Sequence, residues 1–175
     1  MIRITSPLEK RDVEKLKAGD EVLLSGLIYT ARDQAHKRLV ELIKKGKKLP
    51  LELKNQIIYY CGPTATPLEK IIGSCGPTSS LRMDEFTEPL LRRGLKGIIG
   101  KGRRSAEIRR LLRRHIAVYL IAPSGCGAYL AGKVKNRKVL AFKELGPEAI
   151  LQLRVEDFPL IVGIDCRGES VYEDF

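Results

Sequence analysis

Glu21-Val22-Leu23-Leu24-Ser25-Gly26-Leu27-Ile28-Tyr29 is an apolar run, and from Asp33 to Lys45 the spacing changes so that Ala35, Leu39, Leu42 and Ile43 share one face. The run predicts a strand, or two short strands broken at Gly26. The second segment predicts a helix, with Asp33 placing negative charge in its first turn and Gly46 where it stops. This change of period recurs along the chain. Gln56–Tyr60, Gly97–Gly100, Ile116–Ile121 and Leu160–Asp165 are short apolar runs bounded by turn residues, as buried strands require, and Val139–Phe142 is a candidate for one more. Helices are expected from about Asp84 to Arg93, along Arg103–His115, and around Gly125–Val134. The reading is α/β: one domain over residues 1–175, with a mixed sheet flanked by helices.

Composition sets the outer bounds. A chain of 175 residues, 43% hydrophobic, supports a sizeable core, and no run approaches the roughly 18 apolar residues of a membrane span. Met1–Pro7 has no apolar h-region followed by a small-residue cleavage site, so a cytoplasmic protein is expected. Two Asn and three Gln stand against 32 Lys plus Arg and 21 Asp plus Glu, a balance that fits the ion-pair-rich surface of a thermophile. The four cysteines, Cys61, Cys75, Cys126 and Cys166, contain no C-x-x-C spacing. Neither a zinc ribbon nor a ferredoxin-type cluster loop is read from them, and they are expected to be reduced structural thiols, with a disulfide left open.

The formal charge of +11 needs an account. Its densest stretch is Arg103–His115, in which Ile108, Leu111 and Leu112 fall at helical spacing and the arginines are expected on the flanks and outer face. A solvated amphipathic helix is the first reading and docking of an acidic protein the second. Nucleic-acid binding comes last, because zinc-finger spacing, a heptad zipper and an aromatic-rich strand are all missing from the sequence.

Three cationic elements stand out from this background: Tyr29-Thr30-Ala31-Arg32-Asp33-Gln34-Ala35-His36, Gly76-Pro77-Thr78-Ser79-Ser80-Leu81-Arg82-Met83-Asp84, and Gly100-Lys101-Gly102. Hydroxyls and a guanidinium four residues apart after a Gly-Pro turn are suited to holding a small carboxylate. Each element follows an apolar run, Ile71-Ile72 for the second and Ile98-Ile99 for the third, and precedes a predicted helix, where α/β sheets collect anionic ligands. Cys61-Gly62-Pro63-Thr64 recurs as Cys75-Gly76-Pro77-Thr78, which suggests a hairpin or paired loops. The first copy lacks the arginine and is read as structural. His36 is read as packing on its helix.

Taken in order with Leu145–Ile150 and Val155–Pro159, these elements resemble the β subunit of two-subunit class I fumarate hydratases, equivalent to the C-terminal domain of single-chain iron–sulfur fumarases. They are also similar to the β subunit of L(+)-tartrate dehydratase. The resemblance covers nearly the whole chain. It implies a swivelling β/β/α domain that closes over a [4Fe-4S] cluster held by three cysteines of a partner α subunit, with no metal on this chain. It further implies a hetero-oligomer acting on a small dicarboxylate, (S)-malate or fumarate, and inactive without the α subunit. Position by position, the implied substrate-binding set is Arg32, Thr78, Ser79, Arg82 and Lys101, with Thr78 as the group that moves the C3 proton. Ser79 stands where the family commonly has a second threonine. Cys126, within Pro123–Gly127, is a tartrate-dehydratase-like feature, so tartrate remains an alternative substrate.

Overall fold

In the computed structural model, which describes residues 1–172, Glu21–Thr30 is strand β2 and Asp33–Lys44 is helix α2, flanked by β1 (Ile2–Ser6) and α1 (Lys10–Lys15) before them and β3 (Ile57–Tyr59) after. The chain continues through a 3-10 turn (Leu81–Met83), α3 (Asp84–Arg92), β4 (Gly97–Gly100), α4 (Ala106–His115) and β5 (Val118–Ile121). It ends with α5 (Gly127–Ala131), β6 (Val134–Ala141), a kinked 3-10 segment (Lys143–Glu148) and β7 (Ile150–Ile164).

Seven strands form one mixed sheet in the order β1-β2-β3-β4-β5-β7-β6, and β2 also pairs with β7. Strands β1 to β5 are parallel to their neighbours, whereas β7 runs antiparallel to β2, β5 and β6. The β2–β7 pairing closes β2-β3-β4-β5-β7 into a ring. Parallel neighbours require crossovers, and α1, α2, α3 and α4 supply them. Strand alternation then sorts the apolar side chains: Ile57, Tyr59, Ile99, Val118 and Leu120 join the core with Leu153, Val155 and Phe158 of β7. Ile58, Tyr60, Ile98 and Tyr119 point the other way, into a second core with Leu39, Leu90 and Leu111 of the three helices. The β2–β7 register shifts between Leu24 and Gly26, where the sequence predicts a break, and opposite it Asp157 adopts φ 47° with its N–H on Ser25 Oγ. This irregularity moves the buried positions of β7 from odd to even numbers, so both halves face the interior.

Several expectations change here. Strand β1, helix α1 and the first ten residues of β7 lie outside the predicted elements, although Leu151, Leu153 and Val155 alternate with polar residues as a half-buried strand does. The helix expected around 125–134 is confined to Gly127–Ala131, because Gly132 N–H folds back onto Ala128 and Tyr129 carbonyls and Val134 already pairs with Val155. Helix α4 buries Ile108, Leu111 and Leu112 as predicted, but Arg104 is not on its outer face: it precedes the Ser105 cap and its side chain is fully buried. The basic charge is also spread over a second element. Lys135, Arg137 and Lys138 are exposed on β6, at the end of the sheet, where like charges discourage pairing with another strand. Among the described residues no helix is long and apolar enough to cross a membrane.

Candidate active site

All three cationic elements lie just beyond the carboxyl ends of adjacent parallel strands. Ala31 N–H donates to Tyr59 O, and Arg32 follows in extended conformation as the residue before α2. After β3 the chain makes a long excursion, then returns so that Thr78 N–H donates to Tyr60 O (2.8 Å). Ser79 bridges Lys101 in parallel, and Ser80 N–H donates to Lys101 O (3.0 Å). Residues 78–80 thus extend the sheet past the ends of β3 and β4, which places Thr78 and Lys101 on neighbouring tracks although they are far apart in sequence. The apolar run at Ile71-Ile72 is not the strand leading into this element; β3 is.

The side chains meet through Asp33. Arg82 Nε donates to Asp33 Oδ1 (2.8 Å), and Arg32 Nε stands 3.7 Å from Asp33 Oδ2. Arg82 Nη2 donates to Thr78 Oγ1 at 2.6 Å. Arg32 Nε is shielded from water yet makes no hydrogen bond, so its donor remains uncommitted. Among the described residues Lys101 enters no ion pair. Two arginines therefore share one carboxylate, and the surplus is positive. Ser79 joins through its backbone, with its side chain exposed.

Below this cluster is a buried polar layer. Tyr119 Oη donates to Gly102 O (2.8 Å) and lies 3.0 Å from Ser80 Oγ. A Cβ on Gly100 would sit 2.0 Å from Ser80 Oγ, so this close approach requires glycine. Arg104 lies between the Tyr60 and Tyr119 rings, 5.4 and 5.1 Å from their centroids, and donates to Asp84 Oδ1 (2.6 Å) and Thr87 Oγ1 (2.9 Å).

The sequence profile of the fumarase C-terminus family matches residues 1–175. The chain belongs to the fumarase C-terminal family. It is 43% identical over 173 residues to "Putative L(+)-tartrate dehydratase subunit beta" of Methanocaldococcus jannaschii, covering 95% of this chain and 89% of that one. It is 40% identical over 152 residues to the anaerobic class I fumarate hydratase of Escherichia coli K12, covering 86% of this chain and 28% of the relative. Fumarate hydratase 2 of Leishmania major is 35% identical over 175 residues, covering 98% and 31% respectively. The chain thus spans about a third of the length of these fumarate hydratases.

Within this fumarase C-terminal domain, the geometry brings together Arg32, Thr78, Arg82 and Lys101 and adds three residues not singled out for the site. Asp33 joins the two arginines. Gly62, in the first Cys-Gly-Pro-Thr copy, faces Arg32 so closely that a Cβ there would lie 2.9 Å from Arg32 Cδ. Arg104 supports the floor. Only Asp33 had a local signal, its position between Arg32 and a helix; the others depend on packing across strands. The two Cys-Gly-Pro-Thr copies do form paired loops, with Thr64 N–H donating to Ser74 O (3.0 Å).

His36 underpins Arg32. Its ring is buried, edge-on to Tyr60 at 5.2 Å, and Nδ1 is 2.7 Å from Arg32 O, the carbonyl that also accepts His36 N–H. Burial lowers its pKa from 6.5 to about 4, against the Arg32 carbonyl, which favours the charged ring; Arg104 lowers it further and Asp33 raises it. An unfolded chain binds this proton near pH 6.5 and the folded chain only near 4, so the unfolded state holds more protons between these values. Stability is complete above about pH 6.5 and falls towards pH 4, by roughly 3 kcal/mol in all. Urea denaturation of wild type and His36→Phe across that range should show a steeper acid loss in wild type by close to one proton; equal slopes would refute it.

All four cysteines are free thiols, Cys61 and Cys75 both buried. The neighbouring Cys75 sulfur and burial push the Cys61 thiol well up. Among the described residues no three His, Cys, Asp or Glu side chains are grouped to hold a metal. These thiols do not fit an iron–sulfur cluster.

Proposed function

We propose that this chain is the β subunit of a two-subunit iron–sulfur hydro-lyase that interconverts (S)-malate and fumarate plus water in the cytoplasm, with the [4Fe-4S] cluster held by the α subunit. The observation that carries the reading is the guanidinium of Arg82 on Thr78 Oγ1, tied through Asp33 to Arg32. Dehydration of malate takes a proton from a carbon beside a carboxylate, so negative charge builds on oxygens that already share one. In this reading Arg32 and Lys101 bind and stabilise that carboxylate. Ser79 offers its exposed hydroxyl alongside.

Thr78 moves the C3 proton in this scheme. A threonine hydroxyl is a poor base alone, and a cation donating to its oxygen favours the deprotonated form. Arg82 is that cation. Reconstitution of the chain with its α subunit under anaerobic conditions should yield malate dehydration, with neither subunit active alone. The similarity to a protein named as a tartrate dehydratase β subunit favours a second reading, in which the substrate is L(+)-tartrate. Presenting both 2-hydroxydicarboxylates to the same preparation separates the two: turnover of tartrate alone removes the malate assignment.

A further inference from the structure

The excursion between Cys61 and Cys75 is a closed loop. Besides the Thr64–Ser74 backbone bond, Ser74 N–H donates to Thr64 Oγ1 (2.9 Å). Its apex is a turn in which Lys70 N–H donates to Pro67 O (3.2 Å) and Glu69 takes φ 62°. That turn holds Leu68 out in water, 95% exposed. Beside it opens a cavity of about 410 Å3 walled by Ile71 and Ile72 of the loop, Ala128 and Ala131 of α5 and Val134 of β6, and rimmed by charged side chains including Lys70. Ile71 and Tyr129 of α5 are 44% and 58% exposed. An apolar centre with a charged rim has the anatomy of a protein interface. A small ligand filling the cavity would leave Leu68 in water; a protein surface covers both.

We propose that loop 61–75 and α5 form the docking surface for the α subunit, with Leu68 inserted into it. This rests on the subunit reading above. Two observations select that occupant. First, the chain matches only 28% and 31% of two single-chain fumarate hydratases, so in those molecules this domain is covalently joined to a much longer remainder of the same polypeptide. The α subunit is the counterpart of that remainder. Second, the loop springs from the candidate site: one foot, Gly62, lies against Arg32, and the other runs directly into Thr78. A partner that completes a shared cavity over these cations meets this loop at its edge.

The test measures binding of the α subunit to the full-length chain carrying Leu68→Glu, with Val139→Glu on β6 as an exposed control. Leu68→Glu should weaken assembly about 100-fold by forcing a carboxylate into an apolar interface. Melting of the isolated variant should match wild type, and amides of residues 65–71 should exchange more slowly in the wild-type complex. Val139→Glu should bind normally. If Leu68→Glu binds the α subunit like wild type while the wild-type complex is active, the docking surface is wrong and the subunit reading stands. If the α subunit does not bind the wild-type chain at all, that reading falls and takes this proposal with it. If the isolated chain self-associates through Leu68 while α binding is indifferent to Leu68→Glu, a second copy covers the surface and the proposal is overturned.

Discussion

On the proposed function, Arg82→Lys lowers kcat of the assembled complex by about 100-fold or more, the size of effect seen when one donor aimed at developing charge is removed, and leaves the fold intact. The guanidinium makes two directed bonds from one planar group, Nε to Asp33 and Nη2 to Thr78. A lysine ammonium keeps the charge but loses the fork, so it can serve one partner at the expense of the other. Thr78 then loses the cation that favours its alkoxide, or Asp33 is released to pair with Arg32 and neutralise it. The Arg82 side chain is 46% exposed, so the isolated variant should melt with wild type. Steady-state kinetics of the reconstituted complex check the prediction, with loss in kcat rather than in KM alone. Near-wild-type turnover would remove Thr78 and Arg82 as a working pair.

Asp84→Ala has the largest expected effect on stability, about 3–5 kcal/mol, as found when one partner of a buried ion pair is deleted. Arg104 has no exposed side-chain surface, and Asp84 is its carboxylate partner. Burial opposes the Arg104 charge, and the facing Tyr60 and Asp84 oxygens offset it and hold its pKa above the ordinary value; a guanidinium stays protonated at neutral pH in any case, so deleting Asp84 leaves a buried, unpaired charge. Asp84 Oδ2 also accepts Ser105 N–H (2.9 Å) at the start of α4, a second bond lost with the carboxylate. For a chain of this size the loss corresponds to a fall in Tm of roughly 6–20 °C. Calorimetry of Asp84→Ala beside the double variant Asp84→Ala/Arg104→Met checks the cause: removing the stranded charge should recover much of the stability. A double variant no better than the single would locate the damage elsewhere.

Arg82 and Asp84 stand two apart in one motif, Arg82-Met83-Asp84, with opposite duties. Arg82 turns towards Thr78 and Asp33 at the surface, while Asp84 turns inwards to Arg104; Arg82 sits in the 3-10 turn Leu81–Met83 and Asp84 is the first residue of α3. No spacing rule assigns one to chemistry and the other to support. The same holds for the arginines ahead of α4, where helical periodicity locates Ile108, Leu111 and Leu112 correctly but says nothing of Arg104, which lies before the helix begins.

Local chemistry alone determined the α/β class, the β2–α2 junction, the buried strands at 97–100 and 118–121, and the clustering of cations where strands end, because alternation, helical spacing and turn residues act over a few neighbours. Tertiary structure alone decided that β7 closes the sheet against β2, that residues 78–80 extend it beside Lys101, and that Asp33 ties Arg32 to Arg82. Those outcomes depend on hydrogen bonds and ion pairs between segments far apart along the chain, whose partners are chosen by how the strands align and by which charges burial forces together, and neither is written in the spacing of residues.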